Sequence, residues 1–579
     1  MSKTIKIFKP YIFIALLTII LVATSAILNL YLPNMMSNIV NKGVVKQDIN
    51  YIINVGLKML LVSFISVVFG VLSHLTSAKI AASYAKDIRF NVFKKITSFS
   101  FAEFDSFSTA SLITRNTNDV LQVQQLAIMM MRMVIRAPIL SIGGIIMAFS
   151  INAKLSSILF ISLPLLIAGI TLLILKTMPL FKQLQKKIDK INLVVRENIT
   201  GVRVIRAFNK EEHEEKRFNM ANLDLTKTAL TVNRINAIIF PLMMFLMNFT
   251  TIAIIAYGTK LIDTNKLNIG DLMAVLQYVI QILFSFAMIS VIFTFLPRAI
   301  ASINRIDEVL NKENSIKDKE NQDYITPKLK NKDIIFDNVT FYYPFSKEPV
   351  LENISFNIPE GKTTAIIGNT GAGKSTLLSL LLRFYDVSSG QIKIGGIDIR
   401  ELKQNQLRSL FGYAPQKPFI FSSSIYDNIK FGRQIDDYKI FEASRIAMVN
   451  EFAEKMQDGY NTILAQGGTN LSGGQKQRIS IARAIAEKKD FYIFDDTFSA
   501  LDFKTDSKIR MELSKIAKDS TMIIVSQRVA TILNAYQIIV LEDGKIAGIG
   551  SHSELLKRCE VYQNFVHSQL SEEDIKSIG

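Results

Sequence analysis

Six stretches in the first 300 residues are long and apolar enough to cross a bilayer, which takes about 20 residues. They lie near Tyr11–Leu32, Val55–Ala78, Met131–Ile151, Leu155–Thr177, Ala237–Leu261 and Leu272–Leu296. Hydrocarbon offers backbone groups no partners, so such runs must satisfy their own hydrogen bonds as helices. The segments joining the second span to the third and the fourth to the fifth are long and charged, yet keep a helical period. Lys3, Lys6 and Lys9 precede the first apolar run, and no small-residue cleavage site follows it. The first helix is therefore expected to remain as a span with the N-terminus in the cytoplasm. The loop charge bias is slight; the N-terminal lysines and the soluble C-terminal half decide the orientation.

Several polar residues fall at or near span positions: Arg132, Arg136, Asn248, Gln277 and Gln281. Such groups are costly in lipid and usually face a bundle interior or a wet cavity. The alternative for the two arginines is a helix end from which they snorkel. Met129–Met131 with Met243, Met244 and Met247 could line an adaptable apolar cavity, or simply pack. None of these residues names a substrate.

Beyond residue 310 the apolar runs stop. Asn311–Asn331 is rich in Lys, Asn, Glu and Asp and reads as a linker, which divides the chain into 1–310, 311–331 and 332–579. At 579 residues the chain is too long for one ordinary domain. Its net charge of +17 could suggest nucleic acid, but the basic residues sit mainly beside apolar segments, so no nucleic-acid partner is expected. The single cysteine, Cys559, excludes an internal disulfide framework.

In the last part, Gly368-Asn369-Thr370-Gly371-Ala372-Gly373-Lys374-Ser375 matches the phosphate-loop pattern G-x-x-x-x-G-K-[ST]. The apolar, partly β-branched Thr363–Ile367 before it predicts a strand. Thr376–Leu382 after it predicts a helix, whose N-terminal N–H groups form an anion site. The glycines let the chain wrap phosphates, Lys374 places a cation on the β/γ oxygens, and Ser375 offers a hydroxyl to Mg²⁺. This context implies binding of a nucleoside triphosphate. Tyr343, in Val339–Pro344, could stack on adenine, or could merely end a strand. Leu471-Ser472-Gly473-Gly474-Gln475 opens a helical run and offers a second phosphate-recognising terminus. Phe491–Asp495 is an apolar strand ending in an acid suited to Mg²⁺.

These motifs in this order resemble an ABC exporter half-transporter over nearly the whole chain. The fold class implied is multidomain: an all-α six-helix transmembrane domain of the ABC exporter type plus an α/β P-loop ATPase domain. Leu471–Gln475 matches the family's signature, Ser499–Asp502 its D-loop, Gln416 its Q-loop glutamine and Tyr343 its adenine-stacking tyrosine. The resemblance implies ATP and Mg²⁺ as cofactors, held by Tyr343, Gly368–Thr376, Ser472–Gln475, Gln416 and Asp495. It implies a second half-transporter as partner, with each nucleotide between one chain's phosphate loop and the other's signature. Short coupling helices are expected near Phe101–Ser108 and Gly201–Asn209. The location implied is the cell (inner) membrane, with many passes and both termini in the cytoplasm.

The sequence departs from the family at Asp496, which stands where a catalytic glutamate is usual, and at Gln527, which stands where a switch histidine is usual. Aspartate pulls the carboxylate back by about 1.5 Å. Glutamine can hydrogen-bond but cannot relay a proton. Ala465–Gly468 also lacks the family's usual Glu-Arg pair. With the signature intact, the chain resembles the degenerate-site subunit of bacterial heterodimeric multidrug ABC exporters, moving small amphipathic compounds. The alternatives are a lipid, peptide, haem or siderophore transporter, a slow homodimeric exporter, and an ATP-gated regulator that does not pump.

Overall fold

The computed structural model describes residues 2–318, 331–344, 346–516 and 519–570. The chain forms two compact units: Met1–Thr97 with Ser108–Lys312, and Ser98–Phe107 with Glu313–Gly579. The predicted linker lies largely outside the described residues, and its first residue, Asn311, still belongs to a helix.

The first unit is all helix. Its main elements are α1 (Ile12–Asn38), α2 (Ile49–Thr97), α3 (Val120–Ile151), α4 (Leu159–Ala207), α5 (Glu211–Asp263) and α6 (Ile269–Asn311). Among the described residues, six helical stretches are long and apolar enough to cross a membrane. The 53 residues of α5 run about 80 Å, far beyond a hydrocarbon core of about 30 Å. The charged joining segments are thus largely continuations of the membrane helices. Leu155 falls in a separate turn, Ala153–Ser156, because Asn152 breaks the helix and its side chain accepts from the Leu155 N–H. Several polar groups within the bundle are paired, as a water-poor interior favours, while Ser162 Oγ and Gln281 Oε1 find no partner among the described residues. Tyr278 is fully buried and donates to the Leu30 carbonyl at 2.7 Å. Asp271 accepts from Ser37 and Asn41.

In the second unit the strands are β1 (Ile334–Phe341), β2 (Leu351–Ile358), β3 (Thr363–Gly368), β4 (Ser389–Ile394), β5 (Ile397–Asp398), β6 (Phe411–Ala414), β7 (Phe491–Asp495), β8 (Thr521–Val525), β9 (Gln537–Glu542) and β10 (Lys545–Gly550). One sheet has the order β10-β9-β3-β8-β7-β6, parallel except for β10; a smaller antiparallel sheet has the order β2-β1-β4-β5. The parallel strands are buried on both faces, hence their unbroken apolar sequences. Along β7, Phe491 and Ile493 face the core shared with the small sheet, while Tyr492 and Phe494 face the opposite core. The small sheet was not anticipated as a separate layer. Its register stacks Phe336 on Phe356 at 4.5 Å, a pairing between residues 20 positions apart.

Of the two expected coupling helices, the first is a short helix, Phe101–Ser106. It belongs to the second unit, where Phe101 packs on Phe384 at 4.5 Å and Asp105 accepts from the Tyr385 hydroxyl at 2.9 Å. The second expected position is no separate helix: Gly201–Ala207 continues α4, and Asn209 turns the chain with φ 50°.

Candidate nucleotide site

The loops after β3, β6, β7 and β8 all leave the carboxyl ends of parallel strands, where α/β sheets place their ligands. The chain from β3 turns into α7 (Lys374–Leu381). Gly371 and Gly373 have φ of +90° and +96°, a backbone that an L side chain adopts only under strain. A Cβ on Gly373 would also lie 2.6 Å from Leu351, whereas one on Gly371 would meet nothing within 4 Å. The loop is thus tight on its inner side and open on its outer side.

Lys374 is buried, and its ammonium donates to the carbonyls of Gly368 and Asn369 at 2.7 Å each. Burial lowers its pKa, against the opposing pull of Asp496 and Asp495. Asp495 ends β7, with Ser375 beside it close enough to favour its charged form. Burial pushes its carboxyl up to about 6, Asp496 adds to the rise, and Ser375 and Lys374 oppose it. Tyr343 meets the loop through Thr376, hydroxyl to hydroxyl at 3.1 Å, with its ring edge-on to Phe341 and Tyr385.

Asp496 is buried with φ +47°, in the left-handed region that Asp and Asn tolerate better than longer side chains. One oxygen, Oδ2, accepts from the Gln416 amide at 3.3 Å; Oδ1 has no partner among the described residues. The structure therefore brings Gln416 to Asp496, and Ser375 to Asp495. Gln527 follows β8. Its backbone carbonyl accepts from Gln569 at 2.8 Å, while the other end of that amide accepts from the Val529 N–H at 2.9 Å. Arg528 donates to the Ser499 carbonyl at 2.6 Å, tying this loop to the D-loop segment. Neither Gln569 nor Arg528 was found from the sequence. A two-ended amide 42 positions away leaves no local pattern.

The segment Ser472–Gln475 stands apart from this cluster. It caps α8 (Gly473–Ile485): the Ser472 hydroxyl accepts from the Gln475 N–H, and the Gln475 side chain accepts from the Ser472 N–H. Ser472 and Gly473 are exposed, and among the described residues they make no hydrogen bond to the phosphate loop. The helix reaches the site through Gln477, which donates to the Gln416 carbonyl at 2.7 Å.

The donor set fits a triphosphate with Mg²⁺. It offers an open glycine loop at a helix N-terminus, a buried ammonium paired only with carbonyls, and a hydroxyl–carboxylate pair. Bound metal would neutralise charge on the phosphate oxygens; Ser375 and Asp495 are the groups placed to hold it. A metal ligand must be ionised, so protons should compete with Mg²⁺ at Asp495 once the pH falls below about 6. Mg²⁺-dependent nucleotide affinity is expected to drop about tenfold from pH 7.5 to pH 5. The nucleotide's own phosphate titrates near pH 6, so the measurement is the difference between the wild-type and Asp495→Asn binding profiles. Coincident slopes would contradict this role.

A helical unit with six membrane-length helices, joined to a P-loop α/β unit with a separate signature helix, defines a membrane transporter driven by a nucleotide. Residues 11–286 match the family described as ABC transporter transmembrane region, and residues 351–499 match the family described as ABC transporter. An uncharacterized ABC transporter ATP-binding protein of Mycobacterium tuberculosis is 37% identical over 575 residues, covering 99% of this chain and 98% of its own. The uncharacterized ABC transporter ATP-binding protein YfiB of Bacillus subtilis is 35% identical over 580 residues and covers both chains fully. A solved bacterial Atm1-family ABC exporter with ATP bound superposes with a TM-score of 0.80 at 22% identity, covering 98% of this chain and 100% of that one. The chain belongs to the ABC transporter family, as a half-transporter of the exporter fold. It is an ATPase coupled to transport, uses ATP with Mg²⁺, and works as a dimer in the membrane.

Proposed function

We propose that this half-transporter exports amphipathic or hydrophobic compounds across the cell membrane as one half of a heterodimer, and that its own ATP site binds ATP but hydrolyses it poorly. The observation that carries this reading is the carboxylate at Asp496. It is one methylene short, sits on a left-handed backbone, and already accepts from Gln416. A general base misplaced by about 1 Å loses on the order of a hundredfold in rate. Gln527 at the switch position adds no charge and no proton relay.

Tyr343 and Gly368–Thr376 hold the nucleotide, Ser375 and Asp495 the metal with Gln416 beside them, and Asp496 with Gln527 orient water weakly. Ser472–Gln475 serves the partner's site, which carries the competent base. Gly473 supports this: its φ is not left-handed, and a Cβ there would meet nothing within 4 Å. Nothing among the described residues requires glycine at that position. The domain division is 1–310, 311–331 and 332–579, with both termini cytoplasmic.

The test uses the reconstituted complex. ATP-dependent movement of an amphipathic dye into vesicles is expected, and nucleotide binding without dye movement would overturn the pump. Lys374→Ala should weaken nucleotide binding at this chain's site by about 10- to 100-fold, from the loss of charged hydrogen bonds. Turnover should persist at the partner's site, and its complete loss would count against the asymmetric reading.

A further inference from the structure

Within the helical unit, a cavity of about 270 Å³ lies between α1, α2, α3 and α6. Its apolar lining includes Val22, Met129, Met133 and Met288, and its charged lining is Arg132 and Arg136. No Asp or Glu lines it. The two arginines are four residues apart on α3 and so share one face, where like charges repel. Both are half-buried. Arg132 is anchored: Nε donates to the Ser77 hydroxyl at 2.6 Å and Nη2 to the His74 carbonyl at 2.8 Å. Neither acceptor carries a charge. Arg136 has no hydrogen-bond or ion-pair partner among the described residues. These bonds hold Arg132 against α2 at the cavity wall.

Two guanidinium groups without a counter-charge among the described residues, at the level of the predicted spans, are unfavourable unless an anion joins them. Guanidinium is the cation suited to carboxylate, phosphate or sulfonate, which it can grip with two parallel N–H groups. The methionines beside it are unbranched and polarizable, and adapt to varied apolar shapes. We propose that this cavity binds an amphiphilic anion, with the acid group on Arg136 and Arg132 and the apolar body along the methionines. As an account of cargo it rests on the export reading; as a binding site it does not. The same chemistry could come from a transported acid or from the headgroup of an anionic lipid.

The test is equilibrium binding to the full transporter in nanodiscs of phosphatidylcholine, without nucleotide. The probes are dansyl-aminoundecanoic acid and its neutral amide, each corrected for protein-free discs. The acid should bind at least about tenfold more tightly than the amide. Arg132→Gln with Arg136→Gln should erase that preference, while Arg136→Lys, which keeps the charge, should retain most of it. Equal affinity for acid and amide, or an unchanged preference in the double variant, would overturn the proposal. If phosphatidylglycerol displaces the acid and ATP moves none of it, the occupant is a bilayer lipid. If ATP drives the acid across vesicles, it is cargo. Charge-dependent binding with no ATP-driven movement of any probe would reject the export reading and leave the site standing.

Discussion

Gly473→Asp in the assembled transporter should reduce ATP turnover by on the order of a hundredfold or more, comparable to removing one preorganised donor from a transition-state anion. The structure makes this variant unusually clean. Gly473 is the first residue of α8, is exposed, and has open space where the new side chain would begin. A carboxylate in the first turn complements the helix dipole, so the isolated helix should gain roughly 0.3–1 kcal/mol. The same carboxylate would oppose a nucleotide phosphate presented by the partner. Stability and activity should therefore move in opposite directions. Ser472→Ala is less decisive, because Ser472 also caps the helix, and losing a cap costs about 1 kcal/mol. Undiminished ATPase in Gly473→Asp would remove the signature assignment.

The second large effect runs the other way. Asp496→Glu with Gln527→His should raise hydrolysis at this chain's own site by on the order of a hundredfold, about 2.7 kcal/mol of barrier. The added methylene carries the carboxylate forward by about 1.5 Å. Histidine restores a group that can take a proton. Two structural features bear on the outcome. Glutamate tolerates the left-handed backbone at position 496 less well than aspartate, so a stability loss on the order of 1 kcal/mol is expected. Histidine inherits a loop already held by Gln569, whose amide binds the backbone on both sides of Arg528 and not the side chain at 527. The measurement is single-turnover hydrolysis in a complex whose partner site has been inactivated. No gain would mean that the fault lies elsewhere, in Gln416 or in the partner's signature.

The parts of this molecule that could be read from its sequence are those encoded in consecutive residues. The phosphate loop, the helix start at Ser472–Gln475 and the apolar spans are each a single short pattern, and each forms the expected local structure. What escaped reading depends on contacts between distant segments. Gln416 reaches Asp496 across 80 positions, and Gln569 grips the loop after β8 from the end of the described chain. The left-handed backbone of Asp496 has no signal in an otherwise apolar strand end. Phe101–Ser106 was expected as a helix, but its membership of the second unit comes from Phe384 and Tyr385, nearly 300 residues away. The arginines of α3 were noticed as polar residues in a span; only the fold gives Arg132 its partners on α2 and leaves Arg136 facing a cavity.

The central claim is that this chain's own site is catalytically weak and that its partner supplies the competent one. The direct measurement is steady-state ATPase of the chain purified alone in nanodiscs, beside the same chain co-purified with the product of its neighbouring gene. The account predicts near-background turnover alone and robust turnover with the partner, unaffected by Asp496→Asn. Sustained turnover by the chain alone, abolished by Asp496→Asn, would contradict it and make Asp496 the working base of a homodimer.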